Sequence, residues 1–204
     1  MNLFSEAKQH FKRPQAELIY VPQFFSKAEA DRLLQQLKIE IPWQQDDITL
    51  FGKTYKQPRL TALYGTTQKP YSYSNITMHP KPLTETLDTI KTKVETFSAT
   101  PFNTILANLY RDGNDSNGWH SDNEKELGIN PVIASLSFGA ERPFHFKHKT
   151  IKTERHKLVL EHGSLLLMKG EMQHFWRHQI AKTKQPITER INLTFRALIT
   201  PSEH

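Results

Sequence analysis

Arg190-Ile191-Asn192-Leu193-Thr194-Phe195-Arg196 alternates without a break between polar and apolar side chains. With Ala197 extending the apolar set, Ile191, Leu193 and Phe195 face one way, and Arg190, Asn192, Thr194 and Arg196 the other. This is the period-two signature of a β-strand. The commoner use of such a pattern is an antiparallel strand with a solvated outer face. Two arginines bracketing Asn and Thr would also form a tight anion clamp inside a barrel mouth, because guanidinium forks hold carboxylates through paired hydrogen bonds. A dicarboxylic acid needs such donors at both ends.

Outward from this strand, further apolar runs occupy residues 104–110, 132–138, 143–146, 157–160, 164–168 and 175–180, separated by Gly, Pro and Asn/Asp. Short strands at this spacing favour an all-β sandwich or jelly roll over a parallel α/β sheet. Helical signals come earlier. Ser26-Lys27-Ala28-Glu29 is a capping-box pattern, followed by Ala30, Leu33, Leu34 and Leu37 at helical spacing and a stop at Pro42. A second helix is expected over residues 82–97, where Leu83, Leu87, Ile90, Val94 and Phe97 form one stripe. Residues 17–21 read as a short strand. The expected fold class is therefore mainly β with flanking helices: a jelly-roll core over residues 101–200, buttressed by N-terminal helices.

Composition sets outer limits. At 204 residues with 37% AVILMFWYC and 10% aromatics, the chain suits a single domain with one sizeable core. The cysteine count is zero, which excludes disulfides, thiolate zinc sites, iron–sulfur clusters and cysteine nucleophiles. The formal charge of +6 permits a polyanionic partner without requiring one. No run of 18 apolar residues and no signal-peptide core is present, so the expectation is no membrane partner and an intracellular protein, cytoplasmic or nuclear, most simply a monomer.

His120-Ser121-Asp122 places an imidazole and a carboxylate at i and i+2, which share a face if the segment is a strand. A third ligand from a distant strand would complete a set of two histidines and one carboxylate. That facial arrangement suits oxygen-activating non-haem iron. The pair alone is weak, since Asp112-Gly113-Asn114-Asp115 and the residues after it read equally as a surface turn. His174 and His178, expected on one strand face four positions apart, both compete for the third position, and spacing alone does not choose between them. Asn108 and Tyr110 put an amide and a phenol on one strand face, able to bind the oxygens of the same acid.

Taken together, Asn108-Leu109-Tyr110, Trp119-His120-Ser121-Asp122-Asn123-Glu124, Ser135-Leu136-Ser137-Phe138-Gly139, His162-Gly163-Ser164-Leu165-Leu166, Trp176-Arg177-His178 and the Arg190-to-Arg196 strand resemble the AlkB family. These are Fe(II)- and 2-oxoglutarate-dependent dioxygenases that remove alkyl lesions from nucleic-acid bases. The resemblance is nearest to the branch of animal DNA-repair homologues. It implies a double-stranded β-helix with a nucleotide-recognition lid, and Fe(II), 2-oxoglutarate and O2 as cofactor and cosubstrates. Its Trp-x-His pattern implies His178 rather than His174 as the third iron ligand beside His120 and Asp122. It implies a 2-oxoglutarate pocket of Asn108, Tyr110, Arg190, Asn192, Thr194 and Arg196.

The resemblance also implies substrate contacts. Arg59, within residues 57–65, would meet a phosphate; Tyr71, Tyr73 and Ser74 would form a stacking surface; Asn123 and Glu124 would meet the target base. Phe51-Gly52-Lys53 would be a hairpin tip whose Phe wedges into a duplex. The implied reaction is oxidative demethylation of bases such as 1-methyladenine and 3-methylcytosine in DNA, with RNA as an open alternative, releasing formaldehyde, succinate and CO2. Three rivals stand beside it: a 2-oxoglutarate oxygenase of proteins or small molecules, a non-catalytic nucleic-acid-binding module, and a metal-binding cupin doing isomerase or storage work, which has no need of the arginine clamp.

Overall fold

Two antiparallel sheets of unequal size face each other and enclose the polar side of the Arg190–Arg196 strand. The computed structural model describes residues 8–50, 53–67, 71–73 and 76–199. The chain opens with β1 (Gln9–Arg13), β2 (Ala16–Val21) and α1 (Lys27–Glu40), followed by β3 (Asp47–Leu50), β4 (Lys53–Lys56), β5 (Leu60–Gly65), β6 (Tyr71–Tyr73), β7 (Ile76–Met78) and α2 (Glu85–Ser98). The second half comprises β8 (Thr104–Tyr110), β9 (Asn117–His120), β10 (Ile133–Gly139), β11 (Arg142–His148), β12 (Arg155–Leu160), β13 (Leu165–Lys169), the single helical turn α3 (Met172–Phe175), β14 (Trp176–Ile180) and β15 (Arg190–Arg196).

The larger sheet runs β1-β2-β13-β10-β15-β8-β5 and the smaller β12-β11-β14-β9, which is the expected jelly-roll arrangement. Two separate hairpins, β3-β4 and β6-β7, stand outside these sheets. No helix among the described residues is long and apolar enough to cross a membrane.

The two long helices, α1 and α2, cover the outer side of the larger sheet. Ser26 caps α1 through the expected box: its Oγ accepts from the Glu29 N–H at 3.3 Å, and the Glu29 carboxylate accepts from the Ser26 N–H at 3.0 Å. Ala30, Leu33 and Leu37 then bury against the sheet together with Leu87, Ile90 and Val94 of α2. The second helix starts at Glu85, later than the sequence suggests. Lys81 is held extended by pairing with Leu63, and Thr84 is the cap that accepts from Leu87. Leu83 nonetheless packs against the same core.

The alternation of β15 sorts its side chains between two interiors. Ile191, Leu193 and Phe195 join the core beneath the helices. Arg190, Asn192, Thr194 and Arg196 point between the sheets and are buried as well. The solvated outer face is thus ruled out: every residue of the strand is buried. The second core, between the sheets, is built on Leu18, Tyr20, Tyr110, Phe144, Phe146, Met168 and Trp176.

Two local expectations change. The segment 57–65, expected in a recognition lid, is instead largely β5, the edge strand of the larger sheet beside β8. His174 lies in the helical turn α3 and not on a strand with His178.

Candidate functional site

One cavity, with a free space of about 470 Å³ including its mouth, opens between the sheets and is lined by Asn108, Tyr110, His120, Asp122, His178, Arg190, Asn192, Thr194 and Arg196. At its mouth His120, Asp122 and His178 offer ligand atoms that all lie within 4.8 Å of one another. His120 and His178 are cross-strand partners on β9 and β14, with ring centroids 4.2 Å apart. Asp122 does not lie on the strand, contrary to the i, i+2 expectation, because β9 ends at His120. The loop is pinned instead by Gln173, whose Oε1 accepts from the Asp122 N–H at 2.9 Å, and by Arg196, whose Nη2 donates to Asp122 Oδ1 at 2.8 Å.

The electrostatics suit a divalent cation. Burial, with His120 close by, pushes the His178 imidazole down to about 3, so it is neutral with a lone pair to give. Burial also lowers His120, against the opposing pull of Asp122. Burial alone would raise Asp122, but Arg196 and the two imidazoles hold its carboxyl well below the usual range. The Nδ1 of His120 lies 2.7 Å from the Gly118 carbonyl. That contact fixes the tautomer in which Nδ1–H donates and Nε2 is the ligand atom. His178 is seated by packing against Phe144, at 5.2 Å between centroids. Two neutral imidazoles and one ionised carboxylate are the donor set that Fe(II) accepts in a facial site.

Deeper in the cavity, Arg190 is fully buried and donates through Nη2 to Ser137 Oγ at 2.9 Å, while its Nε and Nη1 have no hydrogen-bond partner among the described residues. Its guanidinium sits 5.2 Å from the centre of the Tyr110 ring. Burial lowers it to about 10, so it stays a cation at neutral pH, and no carboxylate pairs with it among the described residues. A buried cation with unused donors fits a carboxylate ligand. Asn192 and Thr194 line the path between the arginines. Asn192 Nδ2 donates to Ser135 Oγ and to the Leu136 carbonyl, and Thr194 Oγ1 donates to Asn192 Oδ1.

The substrate residues are less concentrated. Asn123 is exposed and Glu124 half-buried, directly after Asp122 at the cavity mouth. Lys53 is exposed on the β3-β4 hairpin, and Tyr71 and Tyr73 belong to β6. Phe51, Gly52 and Ser74 lie outside the described residues. Arg59 is corrected outright: it is 3% exposed and turned inward, its Nε donating to Asn108 Oδ1 at 2.8 Å, so it braces the pocket wall rather than facing a phosphate. Sequence reading missed Gln173 entirely. Ser135 and Ser137 carry no role in the sequence reading, although they are the cross-strand partners of Thr194 and Asn192 and share their face of the sheet.

Residues 17–196 match the 2OG-Fe(II) oxygenase superfamily. The chain belongs to that superfamily, and within it to the AlkB homologues. It is 45% identical over 186 residues to the alpha-ketoglutarate-dependent dioxygenase alkB homolog 3 of Mus musculus, an overlap of 87% of this chain and 64% of that protein. The chain therefore spans a little under two thirds of that relative's length. It is 37% identical over 185 residues to the DNA oxidative demethylase ALKBH2 of Mus musculus, covering 86% of this chain and 77% of that one. The solved structure of OsALKBH1 shares the fold, with a TM-score of 0.65 at 18% identity over 93% of this chain and 99% of the other.

Proposed function

We propose that the chain is an Fe(II)- and 2-oxoglutarate-dependent dioxygenase that demethylates N-alkylated nucleobases in DNA, with RNA as a further substrate, acting as a monomer in the cytoplasm or nucleus. The carrying observation is the meeting, in one cavity, of His120, Asp122 and His178 with a buried arginine that lacks a carboxylate. The names of the relatives supply the substrate class: one is called a DNA oxidative demethylase, the other an alpha-ketoglutarate-dependent dioxygenase.

When bound, the iron and 2-oxoglutarate supply the oxidising power, drawn from O2, that hydroxylates an N-methyl carbon. The chain supplies position. His120, Asp122 and His178 hold the metal, and Arg196 orients Asp122. Arg190, with Tyr110 beside it, takes the far carboxylate of the keto acid; Asn108, Asn192 and Thr194 line the cavity around it. At the mouth, Asn123 and Glu124 are placed to meet the base, and the carboxylate of Glu124 suits the positive charge of 1-methyladenine or 3-methylcytosine. Tyr71, Tyr73, Ser74 and the Phe51-Gly52-Lys53 tip form the lid in this reading, with aromatic rings that stack on an extruded base.

The test is aerobic incubation with Fe(II), 2-oxoglutarate and methylated oligonucleotides, followed by mass spectrometry. The reading requires a net loss of one CH2 per lesion, methyl replaced by hydrogen, that depends on every component. Turnover of 2-oxoglutarate with no effect of any nucleic acid would reassign the substrate to a protein or a small molecule.

A further inference from the structure

The face of the smaller sheet turned away from the cavity carries cations abreast. By register, Lys147 on β11 lies opposite Arg155 on β12 and opposite Arg177 on β14. Three positive side chains thus form one row across three strands, each about 5 Å from the next. Lys157 continues the charge in the next row, opposite His145. Arg155, Lys157 and Arg177 are exposed, and none of the four cations has an acidic partner among the described residues. Like charges placed directly opposite on a sheet repel each other. A sheet gains nothing in stability from this row, which makes sense as a surface for a polyanion.

Trp119 gives the surface a second character. It is 37% exposed on edge strand β9, and the Lys147 ammonium lies 4.1 Å from its ring centre. It also precedes His120 directly, so the indole marks where the outer face meets the cavity mouth. A cationic row with one exposed indole beside it matches a single strand, whose phosphates meet the charges while a splayed base meets the ring. An acidic peptide offers the charge but has no base to place on the indole.

We propose that Trp119, Lys147, Arg155, Lys157 and Arg177 form a track for a single-stranded nucleic acid, holding phosphodiesters further along the strand than the two that adjoin the base in the cavity. The proposal rests on the nucleobase reading of the cavity. It adds a binding surface outside the lid and the metal site.

Fluorescence anisotropy with a labelled, unmodified 15-nucleotide strand, at salt from 50 to 200 mM, tests it on the full chain. In Lys147→Gln/Arg177→Gln, affinity at 100 mM salt should fall roughly tenfold, and the slope of log K against log salt should shrink by about 1.4, two contacts' worth. Dealkylation of a methylated trinucleotide, too short to reach the track, should stay within about twofold of wild type. In Trp119→Phe, the quenching of tryptophan emission by the strand should disappear. An unchanged slope and affinity, or quenching that survives in Trp119→Phe, overturns the proposal. So does a polyglutamate of equal charge that binds as tightly as the strand. If wild type leaves the trinucleotide methylated, the cavity reading fails, while the anisotropy still decides the track.

Discussion

Arg196 reaches across the cavity to Asp122, with Nη2 2.8 Å from Oδ1 and both side chains almost wholly buried. This contact, and not the strand geometry of the His-x-Asp pair, sets which way the carboxylate points. Asp122 Oδ2 is left 3.7 Å from His178 Nε2, on the side where the three ligand atoms converge. In Arg196→Met the carboxylate keeps its burial and loses its counter-charge. Removing one partner of a buried pair costs about 3–5 kcal/mol. Losing the group that orients a ligand weakens metal binding about ten- to a hundredfold. Chemical denaturation and Co(II) titration followed by visible absorption read the two effects separately. Arg196→Lys should recover part of the stability and less of the metal affinity.

Arg190 predicts the opposite sign for stability. Its Nε and Nη1 are buried without hydrogen-bond partners among the described residues, and burial already lowers its basicity. Replacing a buried, uncompensated charge by an apolar side chain is often neutral or stabilising. Arg190→Met should therefore hold or raise the melting temperature of the ligand-free protein. The same variant should raise KM for 2-oxoglutarate about ten- to a hundredfold, the worth of a charge-assisted hydrogen bond. It should also lose the thermal shift that 2-oxoglutarate gives the wild type. A ligand-free variant that melts well below wild type would mean that Arg190 serves the fold.

What the sequence made legible follows from the range of each signal. β8 is a largely apolar run, interrupted by Asn108, with turn residues on both sides, and β15 alternates strictly. The bounds of β8 are legible to the residue and those of β15 at its start, because these patterns are local, while the apolar run that continues to Ile199 overshoots the observed end at Arg196. The start of α1 was legible because Ser26 and Glu29 carry their own capping chemistry. The late start of α2 was not, since it depends on Lys81 pairing with Leu63 across the chain. The site divides in the same way. His120 and His178 were identifiable from motif resemblance, but the position of Asp122 depends on Gln173 and Arg196, 51 and 74 residues away. Arg59 read as a surface cation because its partner Asn108 is 49 residues distant, and no local pattern carries that information.

The competition between His174 and His178 gives a direct comparison. His178 is buried at the cavity, while His174 is exposed on α3, its Nε2 accepting from the Asn130 N–H at 3.3 Å. His178→Ala should abolish dealkylation and lower Co(II) affinity at least about tenfold. His174→Ala should leave both within about twofold and change stability by no more than about 0.5 kcal/mol, as for other exposed positions. Equal losses in the two variants would remove His178 from the metal site.

The metal-free protein should lose stability in mild acid, and the sign follows from the two imidazoles. In the unfolded chain each takes up a proton as the pH falls through its ordinary value of 6.5. In the fold, burial keeps His178 neutral down to about 3 and holds His120 below its ordinary value as well. The unfolded state therefore binds more protons throughout that window, so unfolding free energy decreases as pH drops from 6.5 toward 3. Asp122 adds a fall of the same sign below its ordinary value of 3.8, where the unfolded carboxylate protonates and the folded one does not. Urea midpoints measured in EDTA at pH 8, 6 and 5 should be level above 7 and fall progressively below 6. In His178→Phe, which keeps an aromatic ring against Phe144, the acid slope should flatten by up to one proton. A slope that His178→Phe leaves untouched would place the protonation elsewhere in the fold.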